Sequence, residues 1–526
     1  MPLEPHIHER LFPRGQCAVK RVSDDDELLP QVHLIGAGGA GMTALSEVLL
    51  DFGWRLTGSD LEAADPQSTD SSSRDRQTTS EPLDAAGQSL NPGRILKVHQ
   101  GHDSAHVPAT ADLVVFSAAI SADNPERVAA RQLAIPEVSY VELLGELLRQ
   151  HRGICIAGTH GKTTTSAMTA SILRESGVSS SAVIGGEVIR YGRSGWGQLD
   201  AQASDPLQTP FVIEACEYRR HFLEFRPQIA AILNVEADHF DCFASLDETY
   251  EAFAEFAAQV QSDGTLIIRA DCPLAAKLRT VCQANVETFL PVGNANGTGR
   301  NAAARADWAI SSLREEQHKT VFDVVRQGRT FGTVELQLPG HHNVENALAA
   351  IAVSHAAGIS SDAACAAASQ FGGVRRRFEE IGTFNGVTLV DDYAHHPTAV
   401  RTTLAAARTK YPDRRLVVAF QPHQVSRTQN LMNEFAASFN DADEVLLVPI
   451  FAARENTDIA QAALQELARR INLAGCSVEV LTSLDQLRAT LEDSAQPGDV
   501  WLTLGAGNIN RIPHEFARTV RRNYTG

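Results

Sequence analysis

The sequence predicts an α/β protein throughout, with parallel sheets covered by helices and several units in one chain. Short apolar runs bounded by Gly or Asp alternate with longer Ala/Leu-rich segments at helical spacing, the pattern of strands that feed crossover helices. The 526 residues exceed one compact domain and correspond to roughly three to four units of ~150. With 43% hydrophobic residues, the chain has enough apolar content to build a core for each.

The strand candidates, in order, are Val32–Ile35, Leu113–Phe116, Ile154–Ala157, Phe211–Ile213, Ala230–Leu233, Leu416–Phe420, Val445–Pro449 and Val500–Leu504. Several run into a polar or Gly-rich turn, and open α/β sheets bind ligands at those carboxyl ends. A first boundary is predicted near Arg149 to Gly153, after the helical run Val141–Leu148. A second is predicted near Gly372 to Arg375, where Ala-rich sequence gives way to Gly-Gly and three arginines. The predicted units are therefore 1–150, 151–373 and 374–526. The polar stretches Leu61–Lys97, Tyr191–Thr209 and Asn294–Asp307 read as surface loops, the first as an insertion rather than a lid.

A balance of 46 basic against 64 acidic residues, net −18, opposes binding to a polyphosphate, so no nucleic-acid partner is expected. No run reaches the ~18 to 20 apolar residues of a membrane span, and Met1–Pro13 lacks a basic-then-apolar leader. A cytoplasmic protein without membrane insertion is predicted. The eight cysteines are scattered without a CxxC, which signals neither a zinc knuckle nor a disulfide framework and reads mostly as buried small side chains.

Gly36-Ala37-Gly38-Gly39-Ala40-Gly41 follows the first strand and opens a helical run to Gly53. The GxGxxG spacing permits a tight turn and close backbone approach to a diphosphate, while the helix start offers free N–H groups. Asp60 stands where a ribose-binding acid would sit. Taken alone, this loop suggests NAD and an oxidoreductase; a glycine turn for helix packing is the bland alternative.

Gly158-Thr159-His160-Gly161-Lys162-Thr163-Thr164 also lies between a strand and a helix. The longer phosphate-loop pattern would need Gly at Ile156, so only a shorter GxxGKT remains. Lys162 is placed to reach β- and γ-phosphates and the Thr163 hydroxyl to ligate Mg²⁺. The apolar strand Phe211–Ile213 runs into Glu214-Ala215-Cys216-Glu217, with Glu214 placed like a second metal ligand. Ala230–Leu233 runs into Asn234-Val235-Glu236-Ala237-Asp238-His239. Such acids also fit helix caps, but beside a phosphate loop the metal reading is the stronger.

His341-His342-Asn343-Val344-Glu345-Asn346 opens an Ala-rich helix, with Asn343 and Asn346 on one face. Amide side chains carry the donor and acceptor that an adenine edge needs, and equally fit a cap plus a polar position. Arg375-Arg376-Arg377 is followed by Asp391-Asp392-Tyr393-Ala394-His395-His396-Pro397 and by Phe420-Gln421-Pro422-His423-Gln424-Val425-Ser426-Arg427. An arginine at a domain joint can stabilise a transferring phosphoryl group, although a solvated charge run fits as well. No third ligand joins the His pairs by spacing, so zinc is not predicted.

In this order the motifs resemble the Mur ligases. HLIGAGGAGM, SAAI with Asn124–Glu126, GTHGKTTT, EACEYRRHFL, NVEADH, HHNVENALAA, RRRF, DDYAHHPTAV and FQPHQVSRT extend from about residue 31 to residue 509. The resemblance implies an N-terminal Rossmann-like domain for a UDP-sugar, a central phosphate-loop ATPase domain with a mostly parallel sheet, and a C-terminal Rossmann-like domain for an amino acid. It displaces the NAD reading: Gly36, Gly38, Gly39, Ala40, Gly41, Met42, Ser59, Asp60 and Ser117 become candidate contacts of the UDP-sugar.

The implied reaction is ATP-dependent amide formation through an acyl phosphate, in peptidoglycan precursor synthesis. The branch that fits best joins L-alanine to UDP-N-acetylmuramate; a near relative, the murein peptide ligase, attaches a recycled tripeptide to the same UDP-sugar. By resemblance, Gly158, Thr159, His160, Gly161, Lys162, Thr163 and Thr164 hold ATP, and Thr163, Glu214 and His239 hold Mg²⁺. Asn343 and Asn346 contact adenine, Arg377 a phosphate and Asp392 the ribose. Tyr393, His395, His423 and Arg427 surround the incoming amino acid and acyl phosphate. Lys162, Glu214, His239, Arg377 and His395 are the candidate catalytic residues. Many family members carry Arg after the His of the FQPH motif; this chain has Gln424, which leaves Arg427 the candidate for the alanine carboxylate.

Overall fold

The computed structural model describes residues 11, 29–61, 97–198, 208–290, 306–316, 319–453, 455 and 459–525. The predicted insertion at 61–97 lies outside the described residues except at its two ends, as do residues 199–207 of the loop predicted at 191–209 and residues 294–305 of the loop predicted at 294–307.

The described strands form three sheets. The first contains β1 (Gln31–Ile35), β2 (Arg55–Asp60), β3 (Lys97–Gln100), β4 (Leu113–Phe116) and β5 (Glu137–Ser139), all parallel, in the order β3-β2-β1-β4-β5. Strand order reverses beside β1, so the crevice of this sheet opens where β1 runs into Gly36.

The second sheet contains β6 (Arg152–Ala157), β7 (Ser181–Val188), β8 (Arg193–Trp196), β9 (Pro210–Glu214), β10 (Ile229–Ile232), β11 (Thr265–Arg269), β12 (Asn285–Leu290), β13 (Trp308–Glu315), β14 (Thr320–Arg326) and β15 (Arg329–Leu336). Their order is β15-β14-β13-β12-β11-β10-β6-β9-β7-β8. It is parallel from β13 to β7, with antiparallel pairs at both ends. The third sheet contains β16 (Glu379–Phe384), β17 (Val387–Asp392), β18 (Leu416–Phe420), β19 (Glu444–Leu447), β20 (Ser477–Val480) and β21 (Val500–Leu504), ordered β16-β17-β21-β18-β19-β20. Only β16 pairs antiparallel there.

All eight sequence-predicted strands form, as β1, β4, β6, β9, β10, β18, β19 and β21. They are the apolar strands buried on both faces, as the parallel interior of such sheets requires. The hairpin β7–β8 and the meander β13–β15 add antiparallel edges that the apolar runs did not mark, because β13 and β15 each leave several residues exposed.

Two helices position the central site. α2 (Lys162–Glu175) and α3 (His341–Ala356) pack together on the second sheet; α1 (Ala40–Asp51) belongs to the first. The whole stretch Thr163–Leu173 of α2 is buried, and so is nearly all of α3 from Asn343 to Ser354. α3 is apolar nearly all round, as a helix inside a protein should be, whereas α2 also buries the hydroxyls of Thr164, Thr165, Ser166, Thr169 and Ser171. The alanines of α3 let it approach α2 closely, which sets Asn346 against the start of α2.

The hydrophobic cores are unequally divided. Val32, Leu45 and Phe52 of the first sheet's layer share one cluster with Phe211, Phe222, Phe253 and Phe256 of the second. The clusters built around β17, β18 and β21 draw only on residues from Phe378 onward. Polar contacts reinforce the first junction. Glu47 accepts the backbone N–H groups of Ser194 and Gly195 at 3.0 and 2.7 Å, and Asp51 accepts from Gly197 N and Arg193 Nη2, both at 2.8 Å. A Cβ on Gly195 would collide with the Ala44 carbonyl oxygen, so glycine is what lets β8 lie against α1.

Among the described cysteines, all are free; Cys155, Cys365 and Cys476 are buried, whereas Cys216, Cys242, Cys272 and Cys282 are partly accessible. No helix among the described residues is long and apolar enough to cross a membrane.

Candidate functional site

The first glycine loop closes the carboxyl end of β1. Gly36 takes φ +81°, and its N–H and that of Ala37 both donate to the Ser59 carbonyl, at 2.9 and 3.0 Å. Asp60 accepts the Gly38 N–H at 2.8 Å. Gly38, Gly39 and Ala40 are exposed, Gly41 lies against the Tyr140 ring, and Ser117 at the end of β4 sits beside Gly36. These residues form one open rim.

Two predicted contacts of that rim face elsewhere. The Met42 side chain points into the core. Ser59 is fully buried, and its hydroxyl donates to Glu126 at 2.6 Å. Burial opposes the charge on Glu126, but hydrogen bonds from His33 and Ser59 outweigh it and hold the carboxyl at about 2. Ser59 thus shapes the loop through its backbone carbonyl.

The second loop leaves β6 and enters α2. Gly158 and Gly161 take φ +138° and +84°, backbone that favours glycine, and no side chain caps the helix start. The free N–H groups and the helix dipole there suit an anion. Asn234 holds the loop by accepting the His160 N–H at 2.7 Å and donating to the His160 carbonyl at 3.1 Å. The Thr159 hydroxyl donates to the Glu236 carbonyl at 3.3 Å and accepts the Glu236 N–H at 2.9 Å. Thr164 is buried in the first turn of α2.

Lys162 Nζ lies 2.5 Å from the Gly158 carbonyl and 2.9 and 3.1 Å from the two oxygens of Glu217. Burial opposes its charge, yet the Glu217 carboxylate prevails and the ammonium is held firmly protonated. Glu217 is 2% exposed and was not among the sequence candidates. Its signal was faint: a second acid three residues past Glu214.

The Thr163 hydroxyl donates to Glu214 Oε1 at 2.9 Å, and Glu214 Oε2 accepts the Gly185 N–H at 2.7 Å. A Cβ on Gly185 would stand 2.5 Å from that oxygen, so glycine is what admits the carboxylate. His239, at φ +54°, places Nε2 3.8 Å from Glu217 Oε1, and Cys216, Glu217 and His239 offer donor atoms within 4.8 Å of one another. Hydroxyl and carboxylate oxygens are the donors a hard cation such as Mg²⁺ takes.

Asn343 and Asn346 sit beside this loop. Asn343 donates to the Pro339 carbonyl at 2.8 Å, and Asn346 Oδ1 accepts from the Thr165 hydroxyl at 3.3 Å. A Cβ on Gly161 would stand 2.5 Å from that same Oδ1. Both amides are nearly buried.

The C-terminal unit supplies the opposite wall. Arg377 donates from Nη2 to Thr163 Oγ1 at 2.9 Å. Arg376 and Phe378, which flank it, take φ +59° and +49°, a strained path that aims Arg377 across the joint. The Tyr393 ring lies 4.9 Å from the guanidinium carbons of both Arg376 and Arg377. Asp392 accepts the N–H groups of Phe378 and Ala394, each at 2.7 Å, which makes it first a brace of this turn.

α4 (Pro397–Lys410) follows β17, and α5 (Val425–Asn430) follows β18. His395 and His423 face each other with ring centroids 5.8 Å apart. Burial, with Arg427 beside them, holds His395 well below its ordinary pKa and His423 at about 4, so both are neutral near pH 7. Arg427 is 2% exposed: Nε and Nη2 donate to Asp238 Oδ1 at 2.9 and 2.8 Å, and Nη1 stands 3.1 Å from His423 Nδ1. The guanidinium predicted to receive a carboxylate is therefore engaged by Asp238 and braces His423. Gln424 takes φ +68° at the start of α5.

The chain matches family models over most of this architecture. Residues 156–354 match the Mur ligase middle domain, 376–507 the Mur ligase glutamate ligase domain, and 96–152 the catalytic domain of the Mur ligase family. A UDP-N-acetylmuramate--L-alanine ligase of Salinibacter ruber is 39% identical over 496 residues, 94% of this chain and 95% of the relative. The chain belongs to the Mur ligase family.

A second relative of that name, from a Roseiflexus species, is 38% identical over 504 residues, 93% of this chain and 99% of its own. Among solved structures, the UDP-N-acetylmuramate-alanine ligase MurC of Thermotoga maritima aligns with a TM-score of 0.72 at 24% identity, covering 94% of this chain and 99% of that one. A murein peptide ligase of Psychrobacter arcticus aligns with a TM-score of 0.67 at 27% identity, covering 93% and 98%. In this Mur ligase the two glycine loops open from different sheets, and the arginine after the second boundary reaches the phosphate loop.

Proposed function

We propose that this Mur ligase joins L-alanine to the carboxylate of UDP-N-acetylmuramate at the expense of ATP, an early step of peptidoglycan precursor synthesis, in the cytoplasm. The observation that carries the reading is that Glu214 and Arg377 meet on the Thr163 hydroxyl, next to Lys162 in the same phosphate loop, in a chain whose relatives of that name are 39% and 38% identical over nearly its whole length.

A carboxylate is a poor electrophile, and phosphorylation gives it a leaving group. The carboxylate oxygen attacks the γ-phosphorus of ATP, the bond to the β-γ bridging oxygen breaks, and ADP leaves. The alanine amine then attacks the acyl carbon and displaces inorganic phosphate. Phosphoryl transfer needs positioning and charge neutralisation more than covalent help from the protein. Lys162 and the N–H groups at the start of α2 hold the β- and γ-phosphates, and Arg377 brings a second cation from across the joint.

Thr163, Glu214 and His239 would hold Mg²⁺, which when bound shields charge between phosphate oxygens. Asn343 and Asn346 border the adenine site and Asp392 the ribose side. The rim of Gly36, Gly38, Gly39, Ala40, Gly41, Asp60 and Ser117 receives the UDP moiety. Tyr393, neutral His395 and neutral His423 line the approach of the amine, and rings without charge do not repel an incoming ammonium.

The murein peptide ligase aligned above, and a solved ligase of Neisseria meningitides named for UDP-N-acetylmuramate and L-alanyl-γ-D-glutamyl-meso-diaminopimelate, support a second reading in which a tripeptide amine replaces alanine on the same UDP-sugar. One assay separates them. Phosphate release from ATP and UDP-N-acetylmuramate is expected with L-alanine; release with L-alanyl-γ-D-glutamyl-meso-diaminopimelate alone would overturn the alanine reading.

A further inference from the structure

The segment after β10 carries three polar side chains at alternate positions, Asn234, Glu236 and Asp238. Asn234 grips the backbone of the phosphate loop at His160, and Asp238 grips Arg427 of the C-terminal unit. Glu236 lies between them and touches both sides. Its N–H and carbonyl meet the Thr159 hydroxyl. Its Oε2 accepts from the Thr398 hydroxyl in the first turn of α4 at 3.1 Å and stands 3.3 Å from His160 Nε2. The His160 ring packs on His396, which precedes α4, with centroids 4.6 Å apart.

We propose that Glu236 is a positioning residue that couples the phosphate loop to the C-terminal unit, so that nucleotide on the loop sets the placement of α4 and of the amine site before it. The coupling rests on the reading given under Proposed function only for the identity of the amine.

Geometry supports this directly. A nucleotide on the loop bears on the Thr159–Lys162 backbone, and that backbone is bonded to Glu236 and Asn234. Glu236 in turn holds Thr398, three residues from His395, which faces the amine site. The local charge pattern agrees: His160, its Nε2 3.3 Å from the carboxylate, holds the partly exposed Glu236 at about 2, and burial beside His160 holds His396 at about 4. The bridge therefore consists of a fixed carboxylate accepting from a hydroxyl, with a neutral ring alongside. His396 accepts the Thr398 N–H at Nδ1, which ties the ring to the same turn of α4.

The test uses the full chain and three substitutions, Glu236→Ala, Glu236→Gln and Thr398→Val. Glu236→Ala is expected to change the affinity for a non-hydrolysable ATP analogue by less than about threefold while lowering kcat for amide formation about tenfold. Thr398→Val is expected to do the same from the other side, and the double variant to be no slower than the worse single one, since both remove one link. Glu236→Gln, which keeps an acceptor for Thr398, is expected to recover part of the rate.

Independent effects that multiply to about a hundredfold, or nucleotide affinity falling in step with kcat, would overturn the coupling. Should the wild type form no amide, the Proposed function fails, and small-angle scattering then decides the coupling. Compaction of the wild type by the ATP analogue that is absent in Glu236→Ala supports it; equal compaction of both, or of neither, overturns it.

Discussion

Arg377 and Thr163 are 214 residues apart in sequence, yet the guanidinium donates to the hydroxyl at 2.9 Å, and the same hydroxyl donates to Glu214. The C-terminal unit thus contributes directly to the phosphate loop. Arg377→Ala is expected to lower kcat by about 10²–10³, with nucleotide affinity changed much less, because the cation acts on charge that develops in transfer. Arg377→Lys should not restore it fully, since an ammonium lacks the planar fork. Steady-state rates beside calorimetric nucleotide binding check this; a rate within about threefold of wild type would remove Arg377 from the transfer step.

Lys162→Ala is expected to abolish phosphate release while leaving the affinity for the UDP-sugar largely intact. Lys162 is bonded to the Gly158 carbonyl and Glu217, whereas the rim at Gly36 belongs to another sheet. The variant also leaves Glu217 buried without its cation, a cost of several kcal/mol, so thermal stability should fall as well. Titration with UDP-N-acetylmuramate reads the first claim and a melting curve the second.

Asp391 gives a pH signature. Its Oδ1 accepts from the Thr503 hydroxyl at 2.6 Å, and burial pushes its carboxyl up to about 7 against the pull of Arg376. A carboxyl whose pKa is raised on folding holds its proton more tightly in the folded state. Its stabilising contribution is full below the ordinary value of 3.8 and is lost as pH rises through about 7. Asp391→Asn should therefore become more stable relative to wild type as pH rises from about 4 to about 7. Melting temperatures of both proteins across that range check it, and a constant difference would contradict the raised value.

Gly195→Ala should open the junction between the first two units, because the added methyl meets the backbone carbonyl of Ala44 rather than a side chain that can rotate away. A loss of about 1–3 kcal/mol is expected from overpacking of this kind. Urea unfolding measures it, and an unchanged midpoint would show that α1 and β8 separate at little cost.

The central strands of the frame were legible in the sequence because they are buried on both faces and read as unbroken apolar runs; the parallel edge strands β3 and β20 were not, because they leave residues exposed. β6, β9 and β10 are of this kind, and the loops that follow them were found because Gly-Lys-Thr and acids stand at their ends. What the sequence concealed is pairing between distant residues. Glu217 was passed over because its role depends on Lys162, 55 residues before it. The family resemblance points Arg427 at a substrate carboxylate, and nothing in FQPHQVSR reveals that Asp238, 189 residues away, occupies its guanidinium. Ser59 and Met42 stand beside loop residues in sequence, and only the direction of their side chains removes them from the rim.

The hairpin β7–β8 lies on α1 through backbone amides, two half-buried carboxylates and a glycine that admits no side chain without a shift, over a shared apolar core. The junction with the C-terminal unit differs in kind, with separate cores and polar bridges such as Glu236–Thr398 and Arg427–Asp238. In mechanical terms the first junction is welded by a continuous apolar core, whereas the second is held by polar bridges between separate cores, contacts that can break and re-form without exposing a core. A fluorophore pair placed across the first junction should report a constant distance through turnover, and a pair across the second should report every cycle.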